Sequence, residues 1–250
     1  VDMVASRFDH IECNVTSREF HTITGLYKGK RISVVSHGIG TDNIDIVLNE
    51  LDALANIDFD TRQEKESFRQ LTLVRVGTSG GLQDETPIGT YVAAEHSIGF
   101  DGVLYFYGDT ERVRNRSFEA ELLKQLDWSI EGLRPYVVAA DPSLIEQICQ
   151  QDILRGNTIA ANGFYGPQGR QLRLPLRDPE LNKKIQAFDY EGRHLTNYEM
   201  ESSSLAALAA LMGHRAMTVC CIIAGRKAQN MNTDYKGSIE GLIDLVLERI

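Results

Sequence analysis

Apolar positions along this chain follow two alternating periods. β-Branched apolar runs end in glycine, and each gives way to a stretch with apolar residues at helical spacing. Residues 31–36 (RISVVS) predict a strand that ends at His37-Gly38-Ile39-Gly40. From about Asn43 the pattern is helical, with Ile44, Val47, Leu48 and Leu51 on one face and Thr41 or Asp42 as the cap. Residues 71–76 (LTLVRV) predict a central strand running into a glycine turn, Gly77-Thr78-Ser79-Gly80-Gly81, and residues 90–97 a further strand. Residues 136–140 read as a strand, followed by Asp141-Pro142 as the cap and first-turn proline of a helix. A short strand at 158–162, an Ala/Leu-rich helix at 200–212 and a buried strand at 217–224 come next. A closing helix over 237–249 carries Ile239, Leu242, Ile243, Val246 and Leu247 at helical spacing. The polar stretch 58–70 interrupts the pattern and reads as a surface excursion before the central strand.

No repeat, Pro-rich linker or low-complexity tract divides the chain, so one domain over residues 1–250 is expected. Alternating strands and helices predict an α/β fold, an α/β/α sandwich around a mixed central sheet. Ligands of such sheets sit beyond the strand ends, where the glycine-rich segments lie. The sequence starts at Val1 and soon reads as mid-domain, so further residues are expected upstream.

With 250 residues, 42% hydrophobic and 24% charged, the chain has ordinary globular composition and enough length to bury a core without staples. Its formal net charge of -9 makes it a poor non-specific partner for nucleic acid, so an anionic ligand would need arginines gathered in one pocket. The four cysteines show no metal-ligand spacing. Adjacent Cys220 and Cys221 read as small core residues on alternate faces of a strand, and free thiols fit a reducing cytoplasm. No stretch approaches the roughly 20 apolar residues of a membrane span, and no secretory signal is visible, so no membrane partner is expected.

Four segments could carry chemistry. Arg75-Val76-Gly77-Thr78-Ser79-Gly80-Gly81 joins an arginine fork to glycines and hydroxyls, a donor set for phosphate, or else an ordinary strand-to-turn connection. Asn197-Tyr198-Glu199-Met200-Glu201-Ser202 opens an apolar helix with two acids two residues apart. They read either as first-turn capping or as carboxylates at a pocket mouth, suited to paired ribose hydroxyls. The loop Gly163-Phe164-Tyr165-Gly166-Pro167-Gln168-Gly169-Arg170 offers an aromatic face and an amide beside a guanidinium, complementary to a pyrimidine edge, or is a surface turn. Gly225-Arg226-Lys227 leaves the last core strand either as a solvated end or as part of a pocket.

Together these segments resemble the nucleoside phosphorylase family, of the phosphorylase/hydrolase fold, and within it the uridine-cleaving members. The matching order is Ser17-Arg18-Glu19-Phe20, Gly38-Ile39-Gly40, Arg75-Val76-Gly77-Thr78, Phe164-Tyr165 with Gln168 and Arg170, Asn197-Tyr198-Glu199-Met200-Glu201-Ser202, and Arg226. The resemblance implies that Arg75 and Thr78 bind phosphate and that Arg18 reaches the phosphate of a neighbouring subunit. It implies that Met200, Glu201 and Thr78 hold the ribose. Gln168 and Arg170 would read uracil, with Arg226, Phe164 and Gly80 also at the base. No cofactor is implied beyond inorganic phosphate as co-substrate. Some members bind a monovalent cation between subunits through a Glu, an Ile carbonyl and a Ser; Glu19 and Ile39 match, and Asn43 replaces the Ser. The family's Gly-Asp-Pro-x-Arg loop and its N-terminal histidine are expected upstream of Val1.

The implied reaction is phosphorolysis of uridine in pyrimidine salvage, by a homodimer with shared sites or a hexamer. Segment 58–70, longer than in hexameric bacterial relatives, favours the plain dimer. Arg75→Ala is expected to cripple phosphorolysis and leave the fold intact. Purine-cleaving members use an aspartate after the last core strand, where this chain has Ala224-Gly225-Arg226. A nucleosidase would not need Arg75 and Arg18. A non-catalytic nucleoside-binding protein would bind uridine without turnover.

Overall fold

The computed structural model describes residues 1–226 and 230–250, so Lys227 lies outside the described residues. After one helical turn, α1 (Asp2–Ala5), the chain builds an antiparallel sheet in the order β1 (His10–Ser17), β2 (Phe20–Tyr27), β3 (Lys30–Val35). Strand β1 is exposed along its length, and its turn into β2 holds Arg18 at φ 52°. Helix α2 (Thr41–Asn56) follows, then a small hairpin of β4 (Ile57–Asp58) and β5 (Gln63–Glu64) inside the exposed excursion.

The remaining strands are β6 (Thr72–Gly81), β7 (Tyr91–Phe100), β8 (Tyr136–Ala139), β9 (Leu154–Ala161), β10 (Leu195–Glu199), β11 (Arg215–Gly225) and β12 (Asn230–Met231). Among them run α3 (Arg116–Gln125), α4 (Pro142–Ile148), α5 (Leu181–Ala187), α6 (Ser202–Met212) and α7 (Lys236–Arg249). The strands form one sheet in the order β12-β11-β6-β10-β9-β7-β8. It is mixed, as expected: β11 runs parallel to β6, β9 parallel to both β10 and β7, and β10 antiparallel to β6. Strand β11 also pairs with β7 through Val219 and Ala93, which closes β11, β6, β10, β9 and β7 into a ring.

Helices pack around this sheet. Leu242, Ile243 and Val246 of α7 and Leu144 and Ile148 of α4 meet Met217, Val219 and Cys221 of β11. Phe118 and Leu122 of α3 and Ile185 of α5 cover Ile98, Phe100 and Ile159. Helix α6 is buried from Ser202 to Ala209, which accounts for its composition of alanine, leucine and serine with no charged face. It packs against α2 through Leu205, Leu208, Ile44 and Leu48.

Several boundaries differ from the sequence pattern, each for a local reason. Residues 77–81 are not a turn; β6 continues through them in register with β11, from Gly77 opposite Cys220 to Gly81 opposite Gly225. Helix α2 is capped by neither Thr41 nor Asp42. Its N-cap is Gly40 at φ 96°, a conformation that favours glycine, and the Gly40 N–H is met by a distant carboxylate. Glu199 and Glu201 are not in a helical first turn, because β10 runs to Glu199 and Glu201 is itself the N-cap of α6. Asp141 caps α4 as expected, accepting from Leu144 N at 3.0 Å, with Pro142 in the first turn. Cys220 and Cys221 are both buried and free.

Candidate active site

Arg75 lies in β6, in register with Thr218, and its side chain is only 9% exposed. The guanidinium folds back along its own strand: a Cβ added to Gly77 would sit 3.0 Å from both of its terminal nitrogens. Glycine at 77 therefore leaves space for the fork rather than making a turn. Two acids that could not share one helix face reach this guanidinium because one ends a strand and the other caps a helix. Arg75 Nη1 is 2.9 Å from Glu199 Oε2, and Nη2 is bonded to Glu201. On the far edge Arg75 Nε donates to His37 Nε2 at 3.2 Å.

The carboxylates are themselves held. Glu199 accepts from Glu201 N at 2.9 Å and from the Ser202 backbone and hydroxyl, so it tethers the start of α6. Glu201 Oε1 accepts from Gly40 N at 2.6 Å, tying the start of α2 to the same point. One guanidinium and two carboxylates leave one excess negative charge, and two helix N-termini, each about half a positive charge, converge to offset it. Burial opposes charge on Arg75, but its carboxylate neighbours raise its pKa further, so it stays a cation. Burial and the Arg75 charge push the imidazole of His37 down to about 4, so it is neutral at physiological pH. Burial pushes the Cys220 thiol up to about 12, which removes it as a nucleophile.

A second cluster lies where β11 leaves the sheet. Gln168 is buried at a short 3-10 turn, followed by Gly169 at φ 66°. Its side-chain oxygen accepts from Arg170 Nη1 at 2.5 Å and from Arg226 Nη2 at 2.9 Å. Its main-chain oxygen accepts from Arg226 Nη1 at 2.6 Å. With Oε1 turned to the arginines, the amide NH2 is the group left to face a ligand. Arg226 lies over the ring of Tyr198 at 4.5 Å, and Arg170 over that of Phe164 at 3.8 Å. The Tyr198 hydroxyl donates to Asn182 Oδ1 at 3.1 Å, and Asn182 Nδ2 donates to Gln168 O at 3.2 Å, so the loop is fastened from beneath. Burial, then the neighbouring Arg170, draws Arg226 down to about 10. The two clusters share β10, in which Tyr198 and Glu199 are adjacent, and Arg226 N donates to Gly81 O of β6.

The structure thus brings Arg75 to Glu201, and Gln168 to Arg170, Arg226 and Phe164. Thr78 and Gly80 lie in β6, in register with Cys221 and with Tyr198 respectively, and Met200 sits half-buried between the two acids. Arg18 is exposed at the β1–β2 turn, on a different sheet from Arg75. Asn43 donates to the Ile39 carbonyl at 3.2 Å, so that carbonyl already meets an N–H donor. His37, Tyr198, Asn182 and the ion-pairing role of Glu199 are contributors not singled out by sequence. For His37 a signal exists, a polar residue directly before a glycine-rich segment, and for Glu199 the signal is an acid at the end of a strand just ahead of an apolar helix. For Asn182, on α5, none does.

The chain matches the model of the phosphorylase superfamily over residues 1–240, and it belongs to that family. Its fold is the nucleoside phosphorylase fold. A uridine phosphorylase of Thermococcus kodakarensis is 28% identical over 90% of this chain and 69% of its own length. A DeoD-type purine nucleoside phosphorylase of Alkaliphilus metalliredigens is 26% identical over 98% of this chain and 87% of its own. Among solved structures, a Trypanosoma brucei nucleoside phosphorylase that shows uridine phosphorylase activity superposes with a TM-score of 0.88 at 26% identity, over 100% of this chain and 89% of that one. These relatives support a nucleoside phosphorylase, a pentosyltransferase, and include both pyrimidine and purine enzymes. Among the described residues no helix is long and apolar enough to cross a membrane.

Proposed function

We propose that this protein is a uridine phosphorylase of the cytoplasm, acting in pyrimidine salvage by converting uridine and inorganic phosphate to uracil and ribose 1-phosphate. The observation that carries this reading is Gln168 held between Arg170 and Arg226, two guanidiniums gathered on one amide oxygen. N–H donors of this kind match the two carbonyl oxygens of uracil. The stretch that would carry a purine enzyme's acid is Ala224-Gly225-Arg226, with no carboxylate.

Phosphate, held by Arg75 and Thr78 with Arg18 of a second subunit, attacks C1′ on the face opposite the base. The C1′–N1 bond breaks, its electron pair passes to uracil, and N1 then takes a proton from solvent. The anomeric centre inverts. Phosphate opposes the positive charge that develops on ribose, while Gln168, Arg170 and Arg226 meet the negative charge on the leaving base. Glu201 and Met200 orient the ribose, and positioning of this kind contributes at best roughly 7–11 kcal/mol. Phe164 and Gly80 border the base. No covalent enzyme intermediate and no cofactor are needed, and the working unit is a homodimer. A monovalent cation is not assigned, given Asn43 in place of Ser.

The test is uridine with and without phosphate, followed by loss of nucleoside absorbance and detection of ribose 1-phosphate. Phosphate-dependent loss supports the reading. Hydrolysis without phosphate makes the protein a nucleosidase, and tight binding without turnover a binding protein. Phosphorolysis of inosine in preference to uridine would install the purine reading, which the relative from Alkaliphilus favours.

A further inference from the structure

We infer that His37 is a positioning residue, whose imidazole accepts the Nε–H of Arg75 and holds the guanidinium spread between two carboxylates, in the orientation that meets phosphate. This rests on the phosphate role proposed above for Arg75 and adds a residue to it. His37 immediately precedes Gly38, at φ 73°, in the connection from β3 to α2. Its Nε2 lies 3.2 Å from Arg75 Nε.

A guanidinium only donates, so His37 Nε2 must present its lone pair and the ring proton must sit on Nδ1. That Nδ1 is buried with no hydrogen-bond partner, so the side chain is placed for the bond at its other nitrogen. Arg75 meanwhile faces Glu199 with Nη1 and Glu201 with Nη2. A free fork could instead turn Nε and one terminal nitrogen onto a single carboxylate as a bidentate pair, leaving the second carboxylate without it. Fixing Nε on the third side prevents that rotation.

The charged groups acting on His37 are Arg75 from β6 and Glu199 from the end of β10, while Glu201 at the cap of α6 meets Arg75. Burial and Arg75 oppose a second proton on the ring and Glu199 favours it; the balance keeps the imidazole neutral down to about pH 4. Protonation below that turns Nε2 into a donor facing a donor, and the bond is lost.

The experiment titrates inorganic phosphate alone into the full chain by calorimetry, then measures KM for phosphate and for nucleoside, in wild type, His37→Leu and His37→Gln. The glutamine oxygen can reach the place of Nε2; leucine offers bulk without an acceptor. His37→Leu should weaken phosphate about tenfold, the effect of one hydrogen bond to a charged group, with less change in nucleoside KM. His37→Gln should recover most of that loss. Wild type should lose phosphate affinity relative to His37→Gln as pH falls towards 4, and the ratio should stay flat near neutrality. If His37→Leu does not fold, this acid limb decides alone. Wild-type affinity in His37→Leu, or a wild-type to His37→Gln ratio flat through the acid limb, overturns the inference. Because phosphate is the probe, a protein that binds phosphate but spares uridine overturns only the uridine reading. A wild type that binds no phosphate overturns both.

Discussion

Arg75 and Glu201 are ion-paired in one buried cluster, so the side chain proposed for phosphate and the one proposed for ribose hold each other in this structure. That pairing alters what Arg75→Ala should do. The substitution strands Glu199 and Glu201 as buried charges, and breaking a buried pair in this way costs about 3–5 kcal/mol. Loss of phosphorolysis should therefore come with lost stability, rather than with the intact fold the sequence alone led us to expect. Arg75→Lys keeps the charge without the fork, and should lose turnover with a smaller fall in stability. Denaturant midpoints beside phosphate kinetics would separate the two; an unchanged midpoint in Arg75→Ala would mean that the pair does not hold the fold.

The same pair links the two substrates. If Glu201 accepts ribose hydroxyls as proposed, those bonds would loosen its hold on Arg75 and free guanidinium N–H groups for phosphate. A non-cleavable uridine analogue should therefore tighten phosphate, by about fivefold or more if the coupling is of ordinary size. Glu201→Gln should abolish the effect. Calorimetry of phosphate with and without the analogue measures it, and equal affinities would show that the sites are independent.

In the base cluster, Gln168→Ala removes the shared acceptor of Arg170 and Arg226. Leaving such groups unpaired costs about 1–3 kcal/mol, so uridine kcat/KM should fall roughly fivefold to more than a hundredfold. Phosphate affinity measured alone should hardly move. Arg170→Ala should behave likewise. Full uridine turnover in either variant would move base recognition to other residues.

Stability should carry an acid limb from His37. Its pKa falls from 6.5 to about 4 on folding, so the unfolded chain binds the proton more readily between those values. The contribution is complete above about pH 6.5 and is lost as pH falls towards 4; a shift of this size corresponds to roughly 3 kcal/mol. Unfolding of wild type and His37→Gln across that window checks it, since the glutamine variant should lack this part of the slope.

Arg18 tests the assembly. If it serves the neighbouring pocket, Arg18→Ala and Gln168→Ala subunits, each impaired alone, should gain activity when mixed. One pocket of the mixed dimer takes both defects and the other neither, so recovery should approach half of wild type per mixed dimer. Gln168→Ala suits this better than a change at Glu201, which is bonded to both Arg75 and Gly40. Absence of recovery after proven subunit exchange would return Arg18 to its own subunit.

How much was legible beforehand depended on the range of the cause. Strands and helices whose apolar faces repeat locally were readable, as in α7, where all five residues picked by spacing are buried. So was the Asp141-Pro142 start of α4, since a cap is a short-range bond. The run 77–81 reads as a turn in sequence because glycine density signals one, whereas here Gly77 yields space to a side chain two residues away. The cap of α2 is not legible locally, because the Gly40 N–H is met by Glu201, far along the chain. The arginines and Gln168 were visible as a donor set, but their partners were not. Nothing local announces that Glu199 faces β6 or that Asn182 props up the Gln168 loop.

Closure of the strand ring has a kinetic consequence. Residues 72–81 pair with 215–225, and β11 must also reach β7, so the contacts that complete the sheet join distant parts of the chain. Topologies of this kind fold slowly, because loop closure precedes the contacts that reward it. The candidate site draws on His37, Arg75, Gln168, Glu201 and Arg226, which lie on segments that ring closure brings together. If the phosphate role proposed for Arg75 holds, helical signal on refolding should return ahead of phosphate binding, whose recovery would then report the seating of β11.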